Sequence, residues 1–82
     1  LGAVIAARGR KYLMMNAPAA RLPDLEALLP ALESPTIIPL AHAGMIAIHS
    51  VVGAEDVWSL LPRLKTAGAS GILVLPIEKV VP

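Results

Sequence analysis

Four positions in this chain have side chains or backbone suited to holding a small polar ligand: Asn16, Thr36 and the pair Ser70-Gly71. Asn16 closes the run KYLMMN, Thr36 opens TIIPL, and Ser70-Gly71 stands at the mouth of ILVL. An amide, two hydroxyls and a stretch of backbone with no Cβ in the way recognise such a ligand by hydrogen bonding and close approach, not by charge. The same residue types also serve ordinary turn chemistry, in which Asn, Thr and Ser side chains bond nearby backbone. Other candidates carry less. His42 and His49 are seven positions apart with no third ligand in sight, so they read as a solvated turn residue and a strand residue with its polar edge at a boundary, not as a metal pair. Glu55-Asp56 suits the start of a helix, and Glu78-Lys79 the solvated end of a strand. No nucleophile motif, phosphate-binding glycine loop or metal-ligand spacing is present, so no catalytic residue and no metal site is assigned to these residues.

The elements that would position these groups follow from periodicity and punctuation. Residues 1–9 read as the tail of a preceding linker helix closed by Gly9, and residues 10–82 as one domain. Lys11 to Asn16 is a strand, closed by Ala17-Pro18. Leu22, Leu25, Leu29 and Leu32 recur at spacings of three, four and three behind Pro23 and Asp24, which predicts an amphipathic helix ending near Pro30. Thr36 to Leu40 is a short strand confined by Pro39 to a sheet edge. AHAG turns the chain into a strand from Met45 to Val52, closed by Gly53. Glu55 and Asp56 open a second helix with Val57, Leu60, Leu61 and Leu64 on one face, a bend expected at Pro62 and Gly68 as its cap. Gly71 to Leu75 is the last strand. The order is βαββαβ, and its natural closure is an α+β fold: a four-stranded antiparallel sheet with two helices on one face, the ferredoxin-like split arrangement.

The strand patterns leave a surplus. In MIAIHSVV and ILVL both alternating sets are largely apolar, whereas a sheet with one wet face should alternate apolar with polar. Two short helices cover one side only, so a second subunit or a neighbouring domain is expected on the other. Composition limits what else the chain could do. It has 82 residues, 56% of them hydrophobic, no cysteine and a net charge of +1. Its seven basic residues are scattered and nearly without aromatics, which argues against nucleic-acid binding. The uncharged run from Ser34 to Ala54 is broken by prolines, glycines and histidines and reads as two buried strands with a turn, not as a membrane span. The absence of cysteine and of a targeting segment points to a cytoplasmic protein, and a first residue other than Met suggests a fragment.

KYLMMNAP, ESPTIIPLA and GASGILVLPIEKVV, in that order and at these separations, resemble the carboxy-terminal regulatory domain of long-form ATP phosphoribosyltransferase, the first enzyme of histidine biosynthesis. The resemblance runs from about Arg8 onward. It implies a ferredoxin-like domain similar to ACT and nitrogen-regulatory modules that binds L-histidine as feedback inhibitor and helps to hold hexamers together. It implies no cofactor in this domain; catalysis with ATP, phosphoribosyl pyrophosphate and magnesium would belong to preceding catalytic domains of the same chain. Carried over by position, the histidine site would comprise Asn16, Leu32, Thr36, Val51, Ser70 and Gly71, with Val51 as a wall that a neighbouring subunit could supply. Asn16 is neutral where relatives often carry an acidic or other polar side chain, which leaves hydrogen bonding in place of an ion pair. The turn His42-Ala43-Gly44-Met45 also departs from the acidic residue, Gly and Trp that relatives often show after PLA. The alternative is a purely structural oligomerisation domain without ligand sensing.

Overall fold

A computed structural model describes residues 9–29, 35–78 and 81. The elements follow the expected order: β1 (Arg10–Pro18), α1 (Leu22–Leu28), β2 (Thr36–Pro39), β3 (Met45–Gly53), α2 (Val57–Thr66) and β4 (Ser70–Pro76), with a 3-10 turn leading into each helix. Residues 1–8 of the expected linker helix, and Leu32, lie outside the described residues.

The sheet is wholly antiparallel with the strand order β2-β3-β1-β4. β2 is therefore an edge strand, as Pro39 requires, because a proline there leaves no ladder donor missing toward a neighbour; its four residues are exposed, not buried as the uncharged run suggests, because only β3 pairs with it. Residues directly opposite one another share a face. The pairs Leu13 with Ser50 and Met15 with Ile48 put the odd positions of β1 and the even positions of β3 on one side. Leu25 of α1 and Val57, Leu60 and Leu64 of α2 complete a core with Leu13, Met15, Ile48 and Val52, so both helices cover that same side.

Local chemistry explains where the helices start and stop. Pro23 sits in the first turn of α1, where its missing N–H costs nothing. Asp24 accepts a 2.9 Å hydrogen bond from Arg21 Nε, but both side chains are exposed, so the pair contributes little. α1 ends earlier than the leucine spacing suggests: Leu29 turns to extended backbone with ψ 152° while remaining buried. α2 continues as one helix through Pro62, and the Thr66 hydroxyl donates back to the Pro62 carbonyl at 3.0 Å. Its end is fixed by Gly68 at φ 105°, with the Gly68 N–H on Lys65 O and the Ala69 N–H on Leu64 O, both at 3.0 Å. That is the two-bond C-terminal cap in which a left-handed glycine satisfies the last carbonyls, closed by contact between buried Ala69 and Leu64.

Trp58, the chain's one tryptophan, contributes nothing to this core and is 81% exposed. Among the described residues no helix is long and apolar enough to cross a membrane.

Leu64 is fully enclosed between helix and sheet. Leu64→Ala should cost about 2–5 kcal/mol, a large part of the stability of so small a domain. Urea denaturation followed by far-UV circular dichroism should show a lowered midpoint or the loss of a cooperative transition.

Candidate ligand site

The face of the sheet away from the helices carries Tyr12, Met14 and Asn16 of β1, Thr36 and Ile38 of β2, Met45, Ala47, His49 and Val51 of β3, and Ser70, Leu73 and Leu75 of β4. Ile38, Leu73 and Leu75 are exposed there. The surplus of apolar residues inferred from the strand patterns is thus real and lies on one continuous surface, bare of helices.

Ser70 stands directly across the ladder from Asn16. Between the Met14–Leu73 and Asn16–Ser70 pairs the register slips by one residue, so β4 carries a bulge. Gly71 supplies it, with φ 57°, a left-handed backbone that favours glycine. A Cβ on Gly71 would meet Asn16 Nδ2 at 3.4 Å, ordinary contact distance, so the amide lies against the bare backbone of the bulge. Asn16, Ser70 and Gly71 are therefore one cluster. Thr36 is on the same face, opposite His49 and two strands from Asn16, at about 12 Å given strand spacings of roughly 4.8 Å and a rise of roughly 3.4 Å per residue. Val51 pairs with Tyr12, four residues along β1 from Asn16, which puts it about 14 Å away on the same spacings. One chain brings the first three residues together, holds Thr36 at the rim and keeps Val51 at the far end of the face.

Turn chemistry would show itself as hydrogen bonds from these side chains to nearby backbone. None of the side-chain hydrogen bonds among the described residues involves Asn16, Thr36 or Ser70. Each of the three is exposed. Their donors and acceptors face outward among apolar neighbours, where a molecule from outside the chain can reach them.

The residue reading missed one pair. Tyr12 and His49 meet at the middle of this face, with the Tyr12 hydroxyl 3.2 Å from His49 Nδ1 and the rings edge to face at 5.7 Å. Both are half-buried, and His49 is flanked across the ladders by Met14 and Thr36. The alternation of KYLMMN places Tyr12 on the face of Asn16; pairing it with His49 requires the register, which alternation alone does not supply. Two concavities lie on the helical side. One of about 160 Å³ is lined by Lys11, Ala54, Val57, Trp58, Leu61 and Val74. The other, about 290 Å³, is lined by Leu28, Asp56, Ser59, Leu60 and Arg63. No three His, Asp or Glu side chains among the described residues are grouped so as to hold a metal ion.

A βαββαβ chain with both helices on one face of an antiparallel sheet defines a ferredoxin-like α+β domain, here with a polar cluster at the mouth of its last strand. The chain belongs to the family described as HisG, C-terminal domain, whose sequence profile matches residues 7–79. Among similar proteins, the ATP phosphoribosyltransferase of Cytophaga hutchinsonii is 51% identical over 81 residues, covering 99% of this chain and 28% of that protein. Those of Bacteroides fragilis and Halobacterium salinarum are 46% and 47% identical over 81 residues, each covering 99% of this chain and 29% of the relative. The chain thus spans less than a third of the length of the curated relatives it matches.

Gly71→Ala should lower stability by about 1–2 kcal/mol, the cost of a left-handed alanine, and should press on the Asn16 amide. Asn16→Ala, which removes no internal hydrogen bond, should leave the unfolding free energy measured in urea within about 0.5 kcal/mol of the parent.

Proposed function

We propose that this domain is the regulatory C-terminal part of an ATP phosphoribosyltransferase, in which it takes up L-histidine as the feedback signal of the histidine pathway and joins subunits of a hexamer. The observation that carries the reading is the cluster of Asn16, Ser70 and Gly71, whose polar groups have no internal partner and stand at the edge of an uncovered apolar face. The Asn16 amide offers both donors and an acceptor to the ligand's ammonium, carboxylate or imidazole. Gly71 lets the ligand approach the backbone of the bulge, and the hydroxyls of Ser70 and Thr36 add two more partners. Val51 is too distant to wall the same cluster within one chain, so in this reading it serves a site completed by a second copy. The open face suits its own copy: among its described strand residues it carries no carboxylate, and its cation, Arg10, stands at one end opposite Gly53.

Catalysis with ATP, phosphoribosyl pyrophosphate and magnesium would fall to the remainder of such an enzyme. Histidine would inhibit by binding the inhibited arrangement of the subunits more tightly than the active one, since equal affinity for both would shift nothing. The second reading, a purely structural assembly domain, is favoured by the apolar face alone.

Isothermal titration of the chain with L-histidine, with molecular mass followed by light scattering, separates the two. Saturable binding that Asn16→Ala weakens about tenfold or more, as expected for the loss of hydrogen bonds to a charged ligand, supports sensing. An assembled chain that takes up no histidine supports the structural reading instead.

A further inference from the structure

The Tyr12–His49 pair lies at the centre of the face that the proposed assembly covers, and the hydrogen bond between them depends on a proton. At 3.2 Å the Tyr12 hydroxyl donates to Nδ1 only while Nδ1 keeps its lone pair, that is, while the imidazole is neutral with its proton on Nε2. A second proton on the ring makes both nitrogens donors, so that the tyrosine hydroxyl can only accept, and places a cation on a largely apolar patch. The neighbours offer it no counter-charge. β2 contributes Thr36, Ile37, Ile38 and Pro39 and β4 the run Ser70–Pro76, with no titratable side chain in either. On β1 the titratable groups are Tyr12 itself, Arg10 on the same face and Lys11 on the opposite one, so the nearest fixed charge is of the same sign. His42 stands in the exposed turn before β3, and Glu78 follows the end of β4. The described carboxylates of the helical layer, Asp24, Glu26, Glu55 and Asp56, belong to the far side of the sheet.

We propose that His49 makes the covering of this face, and with it the assembly of the domain, dependent on a neutral imidazole, so that acid loosens the interface from its centre. The inference rests on the reading that a second copy covers the face. Its physical content is desolvation: burying a lone cation between two apolar surfaces is costly, so the covered state excludes the proton that the uncovered state accepts. The sign follows directly. The covered state binds fewer protons, so assembly is favoured at high pH and is lost as pH falls through the range in which a solvated histidine ionises. Lowering the pH from 7.5 to 5.5 therefore weakens association, by up to about tenfold for each His49 buried. A device of this kind would let assembly, and the inhibition tied to it, follow cytosolic acidity as well as ligand.

Assembly is the quantity to measure, because L-histidine titrates in the same range and would confuse a ligand-binding curve. Sedimentation equilibrium of the 82-residue chain at pH 7.5 and 5.5 should show the association constant falling by about tenfold or more. His49→Gln, which keeps a polar partner for Tyr12 but cannot gain the proton, should associate alike at both values. Circular dichroism at each pH confirms that the variant is folded. His42→Gln, in the exposed turn, should keep the full pH response, and it serves as the deciding variant should His49→Gln fail to fold. Assembly equally strong at both pH values overturns the role of His49 while leaving the shared interface intact. A flat response in His42→Gln, or an undiminished one in folded His49→Gln, also overturns it. A chain that is monomeric at both pH values removes the interface reading and this inference with it.

Discussion

Nine consecutive residue pairs join β1 to β3, from Arg10 with Gly53 to Pro18 with Met45. That uninterrupted antiparallel register is the constraint on which the rest of the domain depends. Because side chains alternate strictly, it decides at one stroke which half of each central strand meets the helices and which half does not, and a slip of one residue would exchange the two sets. In most small sheets such a slip is forbidden by polarity. Here both sets are largely apolar, so the discrimination falls to shape: Leu13, Met15, Ile48 and Val52 fit beneath Leu25 and Leu64, while Tyr12, Asn16 and His49 bring polar groups that the helical core would leave unpaired. The few polar side chains on the open face therefore specify the fold by exclusion.

The same register accounts for the position of the candidate site. β1 is shared between β3 and β4, and the β4 ladder keeps step with it until Met14, where the bulge at Gly71 intervenes. Without that extra residue, Ser70 would fall on the wrong side of the pleat relative to Asn16. With it, hydroxyl and amide arrive on the same face, beside a backbone unshielded by a side chain. The glycine thus acts twice, once in turning the strand and once in leaving space, and the apolar run that follows it holds the arrangement by its pairing to β1.

Much of this was legible in the residues. The order of elements, the edge position of the proline-bearing strand, the glycine cap after the second helix and the surplus of apolar strand positions all follow from local rules, because each depends on neighbours a few positions away. The helix leucines were a poorer guide, since Leu29 belongs to the spacing yet already has extended backbone, its side chain held in place by the core. Three features depended on pairing between distant segments: the bulge at Gly71, the meeting of Tyr12 with His49, and the distance separating Val51 from Asn16. Asn16, Ser70 and Gly71 could be chosen by type, and the antiparallel neighbourhood of their strands made their meeting foreseeable.

Trp58 projects into solvent from the first turn of α2, beside a shallow apolar hollow and outside the core. The only indole in the chain is thus an antenna rather than a keystone. Its emission reports what approaches the helical side of the domain, and it stays nearly blind to the packing that holds the sheet and helices together. In a longer polypeptide, the colour of that emission would register the arrival of a neighbouring domain without a label and without disturbing the opposite, helix-free face.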